Sequence, residues 1–462
     1  MRLATGGAAV TVADNALRDV RISGFRALDA IMVTVRDAAW GTYPADVRVV
    51  AGSATGATLL GVHGDVFRWE GTVELDPAAV RFEMRGTVLR DVDSRRIGVC
   101  LLHPLALAGR ALHTDAGSGT FGVAIDPHPP ATGFRVLRYD AGVPVTIELS
   151  DVFEMEDHRN WSDPGWKSYS PPLTGGGPRR FRAGEELHRS VTVSGPLTSV
   201  PSIEVYGRDC IDVTPATLAA RPLPARVGAV ALISESAAWL REAAARVAER
   251  GATRVAVFDP ATHTTAPGTA ALVRAVLRDG GCDAPVGGGS RAHLAELNRL
   301  TGGAPEDWDF VTFPITAQAH HSDTPSVLAT VHAMPFMVEQ AARIAPGLPL
   351  VVGPLALRRR ADANSPASPL DPPDPREASP AGAAWLLGSV IALRRAATVT
   401  VLFDGAPGGL LRRLHALRGR PFIGVPTGDP DILAATVPGE ATCTATLIPG
   451  RPAATITEEG HA

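Results

Sequence analysis

From the N-terminus to about Pro201, apolar and polar positions alternate with a period of two. The runs "AIMVTVRD", "ADVRVVAG", "DVFRWEGTVEL", "VRFEMRGTVL", "RIGVCLLH", "FRVLRYD" and "VPVTIELSDVFEME" are short and rich in β-branched residues, with Gly, Asp and Pro between them. That is the pattern of half-buried strands. So many of them predict an N-terminal antiparallel β-sandwich over residues 1–200, without a helix of any length. After Pro224 the period changes. "VGAVALI", "TRVAVFD", "APVGGG", "WDFVTFP", "LPLVVGPLAL" and "ATVTVLFD" read as buried strands, and between them lie "SESAAWLREAAARVAERG", "GTAALVRAVLRDGG", "SRAHLAELNRL", "SVLATVHAMPFMVEQAARIA" and "SPAGAAWLLGSVIALRRA" as helices. In the first of these, Ser234 stands as the cap and Gly251 as the C-terminal stop.

Strand–helix alternation implies a parallel sheet. Six strands fall between Val227 and Phe403, where a closed (β/α)8 barrel has eight. The expectation is a shortened TIM-barrel-like domain over residues 201–410. A doubly wound open sheet is the alternative, but no GxGxxG follows the first strand. The Pro/Asp/Ser-rich run Arg360 to Pro380 reads as a long loop over the C-terminal face of the sheet. Residues 411–462 return to short strands, a small C-terminal β appendage ending in a disordered "EEGHA".

Composition narrows the class of function. The 462 residues are 45% hydrophobic and 20% charged, with a net charge of −4. No basic surplus exists to displace counterions from phosphates, so a nucleic-acid partner is not expected. Cys100, Cys210, Cys282 and Cys443 are far apart in sequence and read as free thiols. "AGAAWLLGSVIAL" is too short to span a bilayer and reads as a buried helix. With no continuous apolar leader, the default expectation is a cytoplasmic chain without a membrane partner.

One stretch concentrates the chemistry. "TIELSDVFEMED" is a strand by pattern, so Glu154 and Glu156 share one face while Met155 and Asp157 take the other. Two carboxylates roughly 7 Å apart on a strand suit shared work on one small substrate, one as base and one as acid or hydroxyl binder. "HRNWSDPGW" then breaks the strand at Pro164 and Gly165. Arg159 and Lys167 can hold an oxyanion or a carboxylate product. Asn160 and Asp163, with Asp157, can grip hydroxyls, and Trp161 and Trp166 offer flat faces to a sugar. A salt-bridged corner has the same composition, because ion-pair networks look alike in sequence.

The whole run "FEMEDHRNWSDPGWKSYSPPL", Phe153 to Leu173, resembles the signature of the D-apionate lactonase family, in which Gln stands for His158 and Thr for Ser162. Further blocks are similar in order: "VRDAAWGTYP", "FRWEGT", "FEMRG", "RRIGVCLLHPL", "GGGSRAHLAELNR", "DFVTFPITAQAHHSD" and "PREASPAGAAWLLGS". The resemblance covers most of the chain. It implies an N-terminal β domain, a TIM-barrel-like domain and a C-terminal β domain. It also implies hydrolysis of D-apionolactone to D-apionate, with a sugar lactone as the partner molecule. The chain departs from the family pattern in its barrel. It is shorter between about Cys210 and Val227, as if two strands were missing. Ser290 and Arg291 stand where Thr and Asp are expected, and Asp404 stands near an acidic strand end.

Lactone opening needs a base, oxyanion donors and an acid for the leaving alkoxide. Glu154, Glu156, Arg159 and His103, the last at the end of "CLLHP", are the expected catalytic residues. Trp40, Asp157, Asn160, Asp163, Lys167, His320 and Asp404 are the expected substrate contacts. No GxSxG elbow supports a serine nucleophile. No cofactor is expected; a divalent metal on "QAHHSD" is the minor alternative. Arg358 to Arg360 can hold an acid product. Two other functions fit the same scaffold: a glycoside-hydrolase-like enzyme using paired carboxylates, and a non-catalytic carbohydrate-binding relative.

Overall fold

A computed structural model of the chain describes residues 1–173, 177–300, 303–359, 371–403 and 408–458. The chain divides into two compact units: Met1–Thr198 with Pro421–Gly424, and Ser199–Arg420 with Val425–Ala462.

The first unit is one antiparallel sheet of sixteen strands among the described residues. Its main path runs Arg2–Thr5, Ala8–Ala13, Ala16–Ile22, Phe25–Asp37, Val92–His103, Trp166–Tyr169, Pro144–Asp157, Glu186–Ser194, Ala79–Val88, Phe67–Asp76, Gly56–His63, Ala45–Gly52. The opening strands pack back over Phe67–Asp76 and Ala79–Val88, so the sheet curls over itself into two layers. The predicted alternation is visible residue by residue. Along Phe67–Asp76 every second side chain is buried, as a strand with one wet face requires. The core between the layers holds Phe67, Trp69, Phe82, Met84, Val99 and Phe153, each contributing about 1.5–3 kcal/mol relative to exposure. Gly61 is set by Trp69: a Cβ there would meet the indole at 2.0 Å.

In the second unit, eight parallel strands lie in the order Ser202–Val205, Thr398–Val401, Leu350–Ala356, Val311–Thr316, Val286–Gly289, Arg254–Phe258, Ala229–Ile233, Cys210–Val213. A parallel bridge between Tyr206 and Cys210 brings the two end strands together, so the barrel is nearly closed. Six of these strands are the six expected. The other two, "SIEV" and "CIDV", are four residues each and succeed one another without a helix. Each carries an acidic residue, Glu204 or Asp212, which erases the apolar run that marks a buried strand.

Among the helices, Ala237–Ala248 is capped by Ser236, whose hydroxyl accepts the Trp239 N–H, rather than by Ser234. "SRAHLAELNRL" forms only the short helix Leu294–Asn298, with the Glu296 carboxylate accepting the His293 N–H. The apolar helix Pro380–Ala392 is buried almost all round. It is covered by an antiparallel meander, Ile432–Val437, Ala441–Thr446 and Ala453–Glu458. Among the described residues no helix is long and apolar enough to cross a membrane. All four cysteines are free.

Candidate active site

The strand Pro144–Asp157 ends between two neighbours, Ala131–Asp140 and Trp166–Tyr169. Trp166–Tyr169 pairs in turn with Val92–His103, and that strand with Phe25–Asp37. Directly opposed residues in an antiparallel ladder point to the same side. The register therefore sets Glu154, Tyr169 and Cys100 in one row, and Glu156, Lys167 and Leu102 in the next. Arg96, four residues before Cys100, shares that side. The other side of the same strands carries Phe153, Met155, Trp166 and His103 into the core.

The polar side is a cluster of charges held close but largely unpaired. Glu154 is 2% exposed; its Oε1 accepts the Tyr169 hydroxyl at 3.3 Å, and its Oε2 has no partner. The Arg96 guanidinium, 4% exposed, lies 3.6 Å from the centre of the Tyr169 ring and 5.8 Å from that of Trp40. Its Nε has no hydrogen-bond partner, and its Nη1 reaches only the Cys100 Sγ at 4.0 Å. Lys167 is 8% exposed beside Glu156. Among the described residues no carboxylate pairs with Arg96 or Lys167. Burying a cation costs several kcal/mol unless something compensates it. A fold that holds two cations and a bare carboxylate oxygen on one face is prepared for a polar ligand.

Glu156 is half-buried and faces His158, whose Nε2 lies 3.2 Å from its Oε2. The His158 Nδ1 lies 3.1 Å from the Asp163 carboxylate. Burial pushes the Glu156 carboxyl up. The hydrogen bond with His158 and the neighbouring Tyr169 hydroxyl, with the charges of His158 and Arg96, outweigh burial and hold it below the usual glutamate range. Burial and the two nearby carboxylates push the Tyr169 phenol far up, so it stays a donor.

Other expected site residues are placed elsewhere. His103 is fully buried on the core side, against Phe121 and Tyr139, with Nε2 2.8 Å from the Ser168 hydroxyl. Burial pushes it down to about 3, so it is a neutral core histidine without access to a substrate. Arg159 also leaves the carboxylate face. It pairs with Asp157 at 2.6 Å, donates to the carbonyls of Gly122, Val123 and Ala124, and stacks over Trp166 at 4.4 Å. Asp157 in addition caps the short 3-10 turn His158–Trp161 and accepts the Asp126 N–H. Asn160 donates to the carbonyls of Asp126 and Asp157. These three side chains form a strut that pins the loop Gly122 to Asp126 through hydrogen bonds to the chain itself. Trp166 is buried, whereas Trp161 is exposed beside His158.

Trp40 is brought to the rim of the cluster in a left-handed turn, φ 71°, with Arg95 and Arg96 beneath its ring. His320 lies in the second unit, exposed after the strand Val311–Thr316. Asp404 and Arg360 lie outside the described residues. Arg358 is buried and paired with Glu377 at 3.4 Å. Asp323, in "QAHHSD", caps the helix Thr324–Ala329. Among the described residues no three His, Cys, Asp or Glu side chains converge as a metal ion would require. Two central members of the cluster, Arg96 and Tyr169, were not singled out by the sequence. Their signal was parity within "RRIGVCLLHPL" and "WKSYSPPL", readable only once the pairing of these strands is known.

Comparison with known proteins places the chain. Residues 1–196 match the model described as D-apionate lactonase, N-terminal domain, and residues 229–415 the one described as D-apionate lactonase, TIM barrel domain. A D-apionate lactonase from Brucella anthropi is 24% identical over 435 residues, covering 75% of this chain and 71% of that protein. Among solved structures, a putative aldose 1-epimerase from Escherichia coli covers 42% of this chain and 97% of its own, at 12% identity and a TM-score of 0.30. A β-arabinopyranosidase covers 99% and 96%, at 8% identity and a TM-score of 0.29. Likenesses at that TM-score say nothing of fold or function. The two domain matches, in order and over most of the sequence, show that this chain belongs to the D-apionate lactonase family.

Proposed function

We propose that the chain hydrolyses a small sugar-acid lactone of the D-apionolactone type, and that it does so on the polar face of the N-terminal sheet. The observation that carries this is the gathering there of two carboxylates, a phenol and two buried cations without ion-pair partners. Glu156, kept ionised by its neighbours, accepts a proton from water as the water attacks the lactone carbonyl. Negative charge then develops on the carbonyl oxygen, where Arg96 and Lys167 stabilise it. The bond to the ring oxygen breaks, and the proton held by Glu156 passes to the leaving alkoxide. Glu154, buried behind Tyr169, accepts from that phenol and holds it in place. The product is an open hydroxy acid, whose carboxylate matches the same two cations.

The test is a pH-indicator assay on five-membered sugar-acid lactones, D-apionolactone included, with Glu156→Gln alongside. Turnover above the spontaneous rate that falls about 10²–10⁴-fold in the variant supports the reading. A folded wild-type chain that opens none of these lactones overturns it.

A further inference from the structure

The turn after the strand Phe25–Asp37 is fixed more firmly than a chain reversal needs. The Asp37 carboxylate accepts the N–H groups of Ala39 and Gly41 at 2.8 and 2.7 Å, and the Asp37 N–H donates to the Gly41 carbonyl. Arg36 donates to the Trp40 carbonyl at 3.1 Å and to the Thr42 hydroxyl, and Arg95 donates to the Ala38 carbonyl at 3.2 Å. Position 41 needs glycine, because a Cβ there would stand 2.3 Å from the Asp37 carboxylate.

Trp40 stands in this turn with φ 71° and is 40% exposed. Left-handed backbone costs a bulky residue about 1–3 kcal/mol, and glycine or asparagine would adopt it with less strain. What the strain secures is the place of the indole. Its centre lies 5.4 Å from the Arg95 guanidinium and 5.8 Å from that of Arg96, both in cation–π range. Arg96 also stacks on Tyr169 at 3.6 Å, and the Tyr169 hydroxyl donates to Glu154. One guanidinium therefore joins the exposed indole to the buried carboxylate row. A strained aromatic, rigidly held and left in part uncovered beside a polar cluster, is placed for a contact that the chain itself does not make.

The lactonase reading, on which this inference rests, puts the lactone carbonyl oxygen at Arg96. A carbonyl oxygen about 2.8 Å from a guanidinium nitrogen sets the first ring carbon about 4 Å from that nitrogen. The indole centre is 5.8 Å from the same guanidinium, so the ring lies within reach of it. We infer that Trp40 is the specificity-determining residue of the site: its indole stacks on the C–H face of the lactone ring and selects the closed five-membered ring over its open-chain form. A flat ring offers the indole one rigid apolar surface, whereas an open chain must first be ordered to offer the same. Opening the ring breaks the contact, which favours release of the acid.

The experiment is steady-state kinetics of the full chain on the best-opened five-membered lactone, with inhibition by its ring-opened acid, for wild type, Trp40→Asn and Trp40→Phe. Asparagine tolerates left-handed backbone, so it keeps the turn. Trp40→Asn is expected to raise KM about tenfold with kcat within about threefold, because the stack is present in ground and transition states alike. Trp40→Phe, which keeps a ring, is expected to restore most of the affinity. The inhibition constant of the acid, which meets the same cations without a ring, is expected to stay within about twofold in Trp40→Asn. Should Trp40→Asn fail to fold, Trp40→Gly takes its place. A wild type that opens no lactone overturns the lactonase reading and this inference with it. Turnover with KM unmoved in Trp40→Asn overturns this inference alone. So does a fall in kcat at constant KM, or an inhibition constant that rises with KM, because Trp40 then acts only by packing Arg96.

Discussion

Replacing Arg96 with Met separates stability from activity. The guanidinium is 4% exposed, has no carboxylate partner among the described residues and stacks 3.6 Å from the Tyr169 ring centre. The stack is worth about 2 kcal/mol when desolvated. Against it stands the cost of keeping a guanidinium out of water, several kcal/mol even after relaxation. Methionine restores most of the stem's apolar contact and removes that cost. Arg96 also helps to keep Glu156 ionised, which offsets part of that gain, so the expected change in unfolding free energy is within about 1 kcal/mol of zero. For a domain of this size that is a Tm shift of about 4 °C at most downward. Activity is expected to move the other way. Loss of a preorganised donor to a developing oxyanion costs about 10²–10³-fold in kcat. The assay pairs thermal denaturation with initial rates on the best lactone substrate, resolved into kcat and KM. Arg96→Lys keeps the charge but loses the planar stack, and should fall between. A variant that loses well over 1 kcal/mol of stability yet retains kcat would refute the reasoning and make Arg96 a structural strut.

Four further outcomes follow from the same geometry. The acid limb of the pH–rate profile should lie below the ordinary glutamate range, because activity needs ionised Glu156 and is lost as pH falls through its depressed pKa. His158→Gln removes one cause of that depression, so the limb should shift to higher pH in the same profile; an unmoved limb excludes Glu156 as the base. Arg159→Met should cost about 1–3 kcal/mol in urea denaturation, by leaving the buried Asp157 carboxylate without its cation, while the folded fraction keeps its kcat. His103 sits at about 3 when folded and near 6.5 when unfolded, so the unfolded chain binds the extra proton between those values. Its contribution to stability is complete above pH 6.5 and declines at up to about 1.4 kcal/mol per pH unit on acidification; His103→Gln should flatten the urea midpoint between pH 6.5 and 4.5 by that amount.

Much of the architecture follows from local pattern alone. Period-two runs of β-branched residues cannot bury their apolar face except as strands of an antiparallel sheet, and Phe67–Asp76 and Pro144–Asp157 form where the alternation stands in the sequence. Strand–helix alternation likewise leaves little choice but a parallel sheet, and six of its strands are continuous apolar runs. The alternation also separated Glu154 and Glu156 from Met155 and Asp157, because that separation is local geometry. The barrel's first two strands escaped, since four residues with an acid among them carry no periodic signal.

What tertiary structure alone decided is which of the chemical residues face each other. His103 and Arg159 have the right chemistry and the right neighbours in sequence, yet parity and packing turn one into the core and bind the other to the loop Gly122 to Asp126. Arg96 and Tyr169 lie far apart in the chain and meet because two antiparallel registers, one to Pro144–Asp157 and one to Val92–His103, place them on the same face. A sequence fixes the two sides of each strand. A shift of one residue in pairing exchanges those sides with respect to every neighbour, so the composition of a site built across three strands exists only once the sheet has formed.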